Sequence, residues 1–304
     1  MNGKRGLISA GASIVNRNKR YIVWFYVFNL LFGWLGAMGL GRRVSPILNH
    51  SLHADKLLHG FDLAVLYEMM SRPEFGSRHS ATGLGLVFAV LFFVLSLLFM
   101  PGVLLGYSSD HRISRDEFFR ACGHNFWRFF RLFTFFLIIG GIVAGILFGI
   151  EGALAKAAEE SSYELLPFIT RMIGIAIIFV VLTTIRIWFD LAQTDVVLRD
   201  QVATRKSIAG GYRMARRNLG RVLGSYILIA VMADSVLALG IVLWNMIVPP
   251  ASVLGAFLVS QATLLVFLAM RFWQRATAVS FYLHRAAEPL EAQPAALAVP
   301  GAIA

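Results

Sequence analysis

Charge is what this 304-residue chain has least of: 15% of its residues are charged, and the acidic ones number 17 against 28 lysines and arginines. A soluble domain carries about a quarter charged residues, so the composition excludes an ordinary water-soluble globule. Cysteine is nearly absent. The single one, Cys122, cannot close an internal disulfide and has no cysteine partner for a metal site, and it reads as a small packing residue. No phosphate-binding Walker A loop and no HExxH zinc motif occurs. A G-x-S-x-G nucleophile elbow is missing too. The segment "GLGLVF" at 83–88 has neither the third glycine nor the strand–helix context of a dinucleotide fold. No residue set calls for a cofactor, and the chain reads as non-enzymatic.

Apolar residues are abundant, at 58% of the chain with a mean hydropathy of +0.69. They gather in six runs near 21–40, 82–105, 132–150, 168–189, 222–247 and 251–270. Each is long enough to cross a hydrocarbon core, which takes about 20 residues in a helix. The fold class expected is an all-α integral membrane protein with six transmembrane helices. The fourth run is flanked by Arg171 and Arg186, about 22 Å apart at the helical rise, so both arginines can reach opposite headgroup layers. Asp190, one turn past Arg186, can pair with it.

The net charge of +11 is distributed by topology. Alternate inter-span segments hold 21 of the basic residues and the remaining segments 7, which by the positive-inside rule puts both termini in the cytoplasm. Basicity of this kind implies anionic lipid headgroups rather than nucleic acid as its partner. The expected location is a bacterial plasma membrane. Trp24, Trp127, Trp188 and Trp273 fall at the basic ends of spans, Trp34 and Trp244 towards the other ends, as interfacial indoles do.

Three stretches look alike: "SIVNRNKRYIVWFYVFNLL" (13–31), "ACGHNFWRFFRLFTFFLII" (121–139) and "RMARRNLGRVLGSYILIAV" (213–231). Asn18, Asn125 and Asn218 align, and so do "RIWFDLA" (186–192) and "RFWQRAT" (271–277). This suggests one unit in three copies, over 7–105, 113–190 and 204–275, inside a single domain of residues 1–285, with a disordered cytoplasmic tail at 286–304. Repeats related by an axis along the membrane normal are a known plan in membrane proteins. Each copy begins with an amphipathic helix along the headgroups. In one, "SRDE" forms a capping box at Ser114 and Glu117, followed by the stripe Phe118, Cys122, Phe126, Phe129 and Phe133. In another, Ile208, Tyr212, Ala215, Leu219 and Leu223 form the apolar face. Lys206, Arg213 and Arg217, with Arg128 and Arg131 of the preceding copy, are the expected contacts for anionic phospholipid.

Three further features bear on a site. Asn29, Asp234 and Gln261 all fall near the middle of their spans. An ionisable group at that depth marks a functional or structural polar site. Ala230 and Ala238 flank Asp234 at four-residue spacing, so the expectation is that its carboxylate faces protein rather than lipid. Gly141, Gly145 and Gly149 share one face of the third span and suit close helix packing, within the chain or against a homo-oligomer or partner subunit. His50, His53, Asp55, His59 and Asp62 cluster in the first outer loop, but diverge around a helix and do not suit a zinc site.

The segment "RIWFDLAQTDVVLRDQVATRKSIAGGYRMARRNLGRVLGSY" (186–226) resembles the membrane domain attached to some bacterial glycerophosphodiester phosphodiesterases and its stand-alone relatives. The soluble catalytic domain of those enzymes and its paired acidic metal ligands are absent from the sequence, so the resemblance implies a membrane fold and no hydrolase activity. The function expected is a scaffold, assembly or lipid-contacting subunit of a membrane complex. The alternative is a small-molecule or proton-coupled transporter using Asn29, Asp234 and Gln261. An intramembrane hydrolase is disfavoured, since Ser235 has no histidine near its plane.

Overall fold

The computed structural model describes residues 6–49, 81–161, 163, 165–249 and 252–291. Among them are eight helices: α1 (Leu7–Arg17), α2 (Arg20–Asn49), α3 (Ala81–Ser108), α4 (Arg115–Glu159), α5 (Leu166–Leu198), α6 (Thr204–Arg217), α7 (Leu219–Ile247) and α8 (Val253–Glu291). No strand occurs among the described residues. Six helices, α2 to α5, α7 and α8, are long and apolar enough to cross a bilayer. An apolar segment in lipid must satisfy its backbone groups within itself, which a helix does. The chain is an all-α polytopic membrane protein.

Several helices outrun their apolar cores. α4 has 45 residues, about 68 Å at the helical rise, because the amphipathic stretch and the span fuse without a break. Its start is the expected capping box: the Glu117 amide donates to Ser114 Oγ at 3.1 Å and the Ser114 amide to Glu117 Oε2 at 2.8 Å. In the two other amphipathic stretches the chain breaks at the aligned asparagine, after α1 and after α6. At the far end α8 continues through the first residues of the expected tail to Glu291. The outer-loop histidines and aspartates, His50 to Asp62, lie outside the described residues, as do 292–304.

The chain forms two compact units whose boundaries cut through helices. Unit 1 comprises 1–17, 101–229 and 273–304. Its core joins Leu7 of α1, Ile187 and Leu191 of α5, Ala215 of α6, Val222 and Tyr226 of α7, and Ala278, Phe281 and Tyr282 of α8. Side chains from five helices thus close one apolar centre. α4 and α5 pair alongside, with Phe136 edge-on to Phe189 at 5.3 Å. Their opposite ends are tied by Glu151 and Arg171, 3.7 Å apart. Arg171 therefore points to a partner as well as outward, and Arg186 is held by Asp190 (Nε to Oδ2, 3.8 Å), as its i,i+4 spacing predicts.

The amphipathic stretches pack in unit 1 by one recurring contact. Trp188 donates its indole N–H to the Ile208 carbonyl of α6, and Trp273 donates to the Ile8 carbonyl of α1. Ile8 and Ile208 each stand ten residues before the aligned Asn18 and Asn218. Seven residues before the same asparagines are Gly11 and Gly211. A Cβ on Gly211 would meet the Trp188 carbonyl at 2.8 Å and the Ala192 amide at 2.9 Å; one on Gly11 would meet the Thr277 amide at 3.0 Å. Thr277 stands where Ala192 does in the matched span ends. In the remaining stretch the sizes are exchanged. Phe118 occupies the glycine's place on α4, and Gly102 of α3 makes room for it, its own Cβ position lying 2.6 Å from the Phe118 ring.

This contact corrects the expected face of α6. The buried stripe is Thr204, Ser207, Gly211 and Ala215, small enough for backbone contact with α5, while Tyr212 is exposed. The bulkier stripe of Ile208 and Tyr212 is rotated by one position. On α4 the expected stripe holds at Phe118, Cys122 and Phe129, with Asn125 and Leu132 buried beside them.

Unit 2 comprises 18–100 and 230–272. Phenylalanines assemble it: Phe28 stacks on Phe99 at 5.6 Å, Phe32 on Phe88 at 6.0 Å, and Phe25 meets Phe272 edge-on at 5.0 Å. α2 and α3 approach closely where Gly36 faces Gly85, a Cβ on the former lying 3.5 Å from the latter's Cα.

Candidate functional site

Polar chemistry concentrates in unit 1, just beyond the apolar part of α5, α7 and α8. Asp190 is buried and accepts a 2.9 Å hydrogen bond from the Tyr226 hydroxyl. Gln274 is buried beneath and donates to the Tyr226 carbonyl at 3.1 Å, with its Oε1 sealed from solvent. Arg186 and Arg275 both interact electrostatically with Asp190, and Arg275 lies near Tyr226 and Tyr107 as well. Asp190 thus pairs with the Arg186 guanidinium and lies in the field of a second, Arg275, in a site of low exposure. One turn and a half along α5, Asp195 accepts a 2.6 Å hydrogen bond from Tyr282 and lies 3.5 Å from Arg199, whose guanidinium sits over the Tyr282 ring. The bonds of Tyr226, Gln274 and Tyr282 each join two helices, so the cluster clamps α5 to α7 and α8.

Sequence reasoning found only the Arg186–Asp190 pair in this cluster and missed Tyr226, Gln274, Arg275, Asp195 and Tyr282. A signal was available. The matched span ends place Asp190 opposite Arg275, unlike charges at equivalent positions of the two similar segments.

A second ionic site joins α4 to the connection before α6. Asp200, whose φ of +48° is left-handed, accepts from Arg128 and lies 2.9 Å from His124 Nε2. The Arg128 guanidinium, and the His124 ring after it, hold the Asp200 carboxyl below its usual range. A carboxyl with a lowered folded value stabilises the fold above its ordinary value of about 3.9 and loses that contribution as pH falls through the lowered one. Asn tolerates left-handed backbone, so Asp200→Asn isolates the charge. Its thermal midpoint is expected below wild type at neutral pH and to converge with it below about pH 4. A difference that persisted undiminished down to about pH 2 would remove the ion pair as its cause.

The sequence-predicted lipid contacts divide. Lys206, Arg213, Arg217 and Arg131 are exposed. Arg128 instead turns inward to Asn125 and Asp200, its side chain only 13% exposed.

The mid-span polar residues are not gathered into one site by any bond. Gln261 accepts from the Tyr26 hydroxyl at 3.1 Å, across α2 and α8. Asn29 lines an open apolar cleft of about 660 Å³ between α2 and α3, with Phe32, Phe88 and Phe92. Asp234 is exposed, so the expectation that it faces protein is overturned. Ala230, its small neighbour one turn back, is the buried one and Ala238 is exposed, which turns Asp234 away from the packed side. The packing expected within the chain for Gly141, Gly145 and Gly149 is likewise not made: among the described residues a Cβ at any of the three meets nothing within 4 Å. Among the described residues no group of three His, Cys, Asp or Glu side chains forms a metal-sized cluster.

Comparison with protein-family models, with curated proteins and with solved structures finds no match for this chain. The class that the fold defines is therefore stated from the chain itself: a polytopic α-helical membrane protein whose unit 1 carries a buried polar clamp between helices.

Proposed function

We propose that this protein is a non-enzymatic scaffold or assembly subunit that sits in a bacterial inner membrane, both termini cytoplasmic, and holds anionic lipid along its basic edge. The observation that carries this reading is the orientation of α6. Its small face is committed to α5, which leaves Lys206, Arg213 and Arg217 exposed together with the ring of Tyr212. A helix fixed on one side, with basic and apolar sides open at the end of its spans, suits a headgroup layer. Tyr226, Gln274 and Tyr282 in unit 1 bond from helix to helix, which suits a structural role for that cluster. The transporter alternative would need Asn29, Asp234 and Gln261 on one path, and Tyr26 already engages Gln261 while Asp234 is exposed.

Basic residues near a membrane surface contribute about 1 kcal/mol each towards anionic lipid. Removing three, as Lys206→Gln, Arg213→Gln and Arg217→Gln together, is expected to weaken retention of anionic phospholipid on the order of a hundredfold. Native mass spectrometry of protein released from mixed-lipid nanodiscs reads this directly. Unchanged retention of anionic over zwitterionic lipid would sink the reading.

A further inference from the structure

Among the carboxylates set within the apolar lengths of the helices, Asp234 stands alone. Glu151, Asp190 and Asp195 each lie within 4 Å of an arginine. Asp234 has no hydrogen bond or ion pair to any described residue, and it is exposed. It lies thirteen residues beyond Arg221, about 20 Å along α7, and so near the middle of a bilayer whose hydrocarbon core is about 30 Å thick. Around it on the same face, at three-, four- and seven-residue spacing, Val231, Leu237, Ala238 and Ile241 are exposed too. Lipid tails satisfy the apolar residues and leave the carboxylate without a donor. A helix that carries a donor at matching depth satisfies both.

We propose that this face of α7 is a docking surface for a transmembrane helix of a different membrane protein, one that places a lysine or arginine opposite Asp234. Charge complementarity selects that occupant over a second copy of this chain. Residues 21–41, 82–111, 132–155, 172–185 and 222–270 contain no lysine or arginine, so a second copy has no cation to offer inside the hydrocarbon layer. Ala238, small and one turn from Asp234, lets the partner backbone approach closely. A carboxylate–cation pair inside lipid fixes depth and register as well as partner, since any axial slip leaves both charges unpaired.

The proposal rests on the assembly reading above, and its test is separate from that reading's test. A photo-reactive amino acid replaces Leu237 in the full chain, cross-linking is run in native membranes, and the adduct is mapped by peptide sequencing. The expected adduct is a transmembrane peptide of another protein that carries a lysine or arginine. Its yield should fall at least tenfold in Asp234→Leu and in the near-isosteric Asp234→Asn, both with the wild-type thermal midpoint. It should return when Asp234→Lys is combined with an acidic residue at the partner's cationic position. Adducts confined to lipid, to a second copy or to this chain's own helices would overturn the proposal, as would a yield indifferent to Asp234. If that happens while the basic-edge variant still loses anionic lipid, the docking face alone is refuted.

Discussion

Asp190→Leu protein is expected to unfold roughly 10 °C below wild type in detergent, the shift that corresponds to the 3–5 kcal/mol typical of breaking a buried ion pair from one side. Asp190 is the carboxylate that pairs with Arg186 and lies in the field of Arg275. Without it, two guanidiniums remain in a low-exposure site and Tyr226 loses the acceptor of its 2.9 Å hydrogen bond. Graded substitutions separate these contributions. Tyr226→Phe removes only a hydrogen bond to a charged group and should cost about 1.5–3 kcal/mol. Asp190→Asn keeps an acceptor for Tyr226 and removes the charge, and belongs between the two. The exchange Asp190→Arg with Arg275→Asp keeps one carboxylate among two cations and should regain most of the loss. Differential scanning fluorimetry on the four proteins reads the order. An Asp190→Leu midpoint equal to wild type would mean that the clamp contributes nothing.

Gly211→Val and Gly11→Val should each destabilise the protein by about 1–3 kcal/mol or more, the range for forcing volume into a packed site. Each added Cβ runs into backbone, the Trp188 carbonyl and Ala192 amide in one case and the Thr277 amide in the other. Backbone cannot rotate aside as a side-chain tip can, so α6 or α1 must move off its span and the Trp188 or Trp273 indole bond lengthens. Gly145→Ala is the contrasting case. Its position is open, and alanine in a helix interior is favoured over glycine by roughly 0.5–1 kcal/mol, so a small gain in thermal midpoint is expected. Equal losses at Gly145 and Gly211 would show that the α4 face is packed after all.

These two groups of residues show how differently local and tertiary information read. The capping box at Ser114 was legible because its partners are three residues apart and both atoms belong to one turn. The Arg186–Asp190 pair was legible for the same reason. The aligned asparagines of the three amphipathic stretches pointed to the registers at which Gly11, Gly211 and Phe118 meet their spans, although the contacts themselves were not foreseen. Asp234 and the α4 glycines were misplaced because spacing along a helix says which residues share a face, never what that face meets.

What the sequence by itself determined is the part governed by partition between water and lipid. The six spans, the separation of the basic residues and the helical class follow from the transfer energy of each segment taken alone. Only the tertiary structure decided orientation. In water an apolar stripe marks the side of a helix that faces the core, but in lipid apolar residues suit every side. Hydropathy then no longer distinguishes inward from outward. Shape and hydrogen bonding make that choice instead, through small residues against backbone at Gly211 and Gly11 and a shared carboxylate at Asp190. Those interactions join residues dozens to hundreds of positions apart, where no local pattern records them.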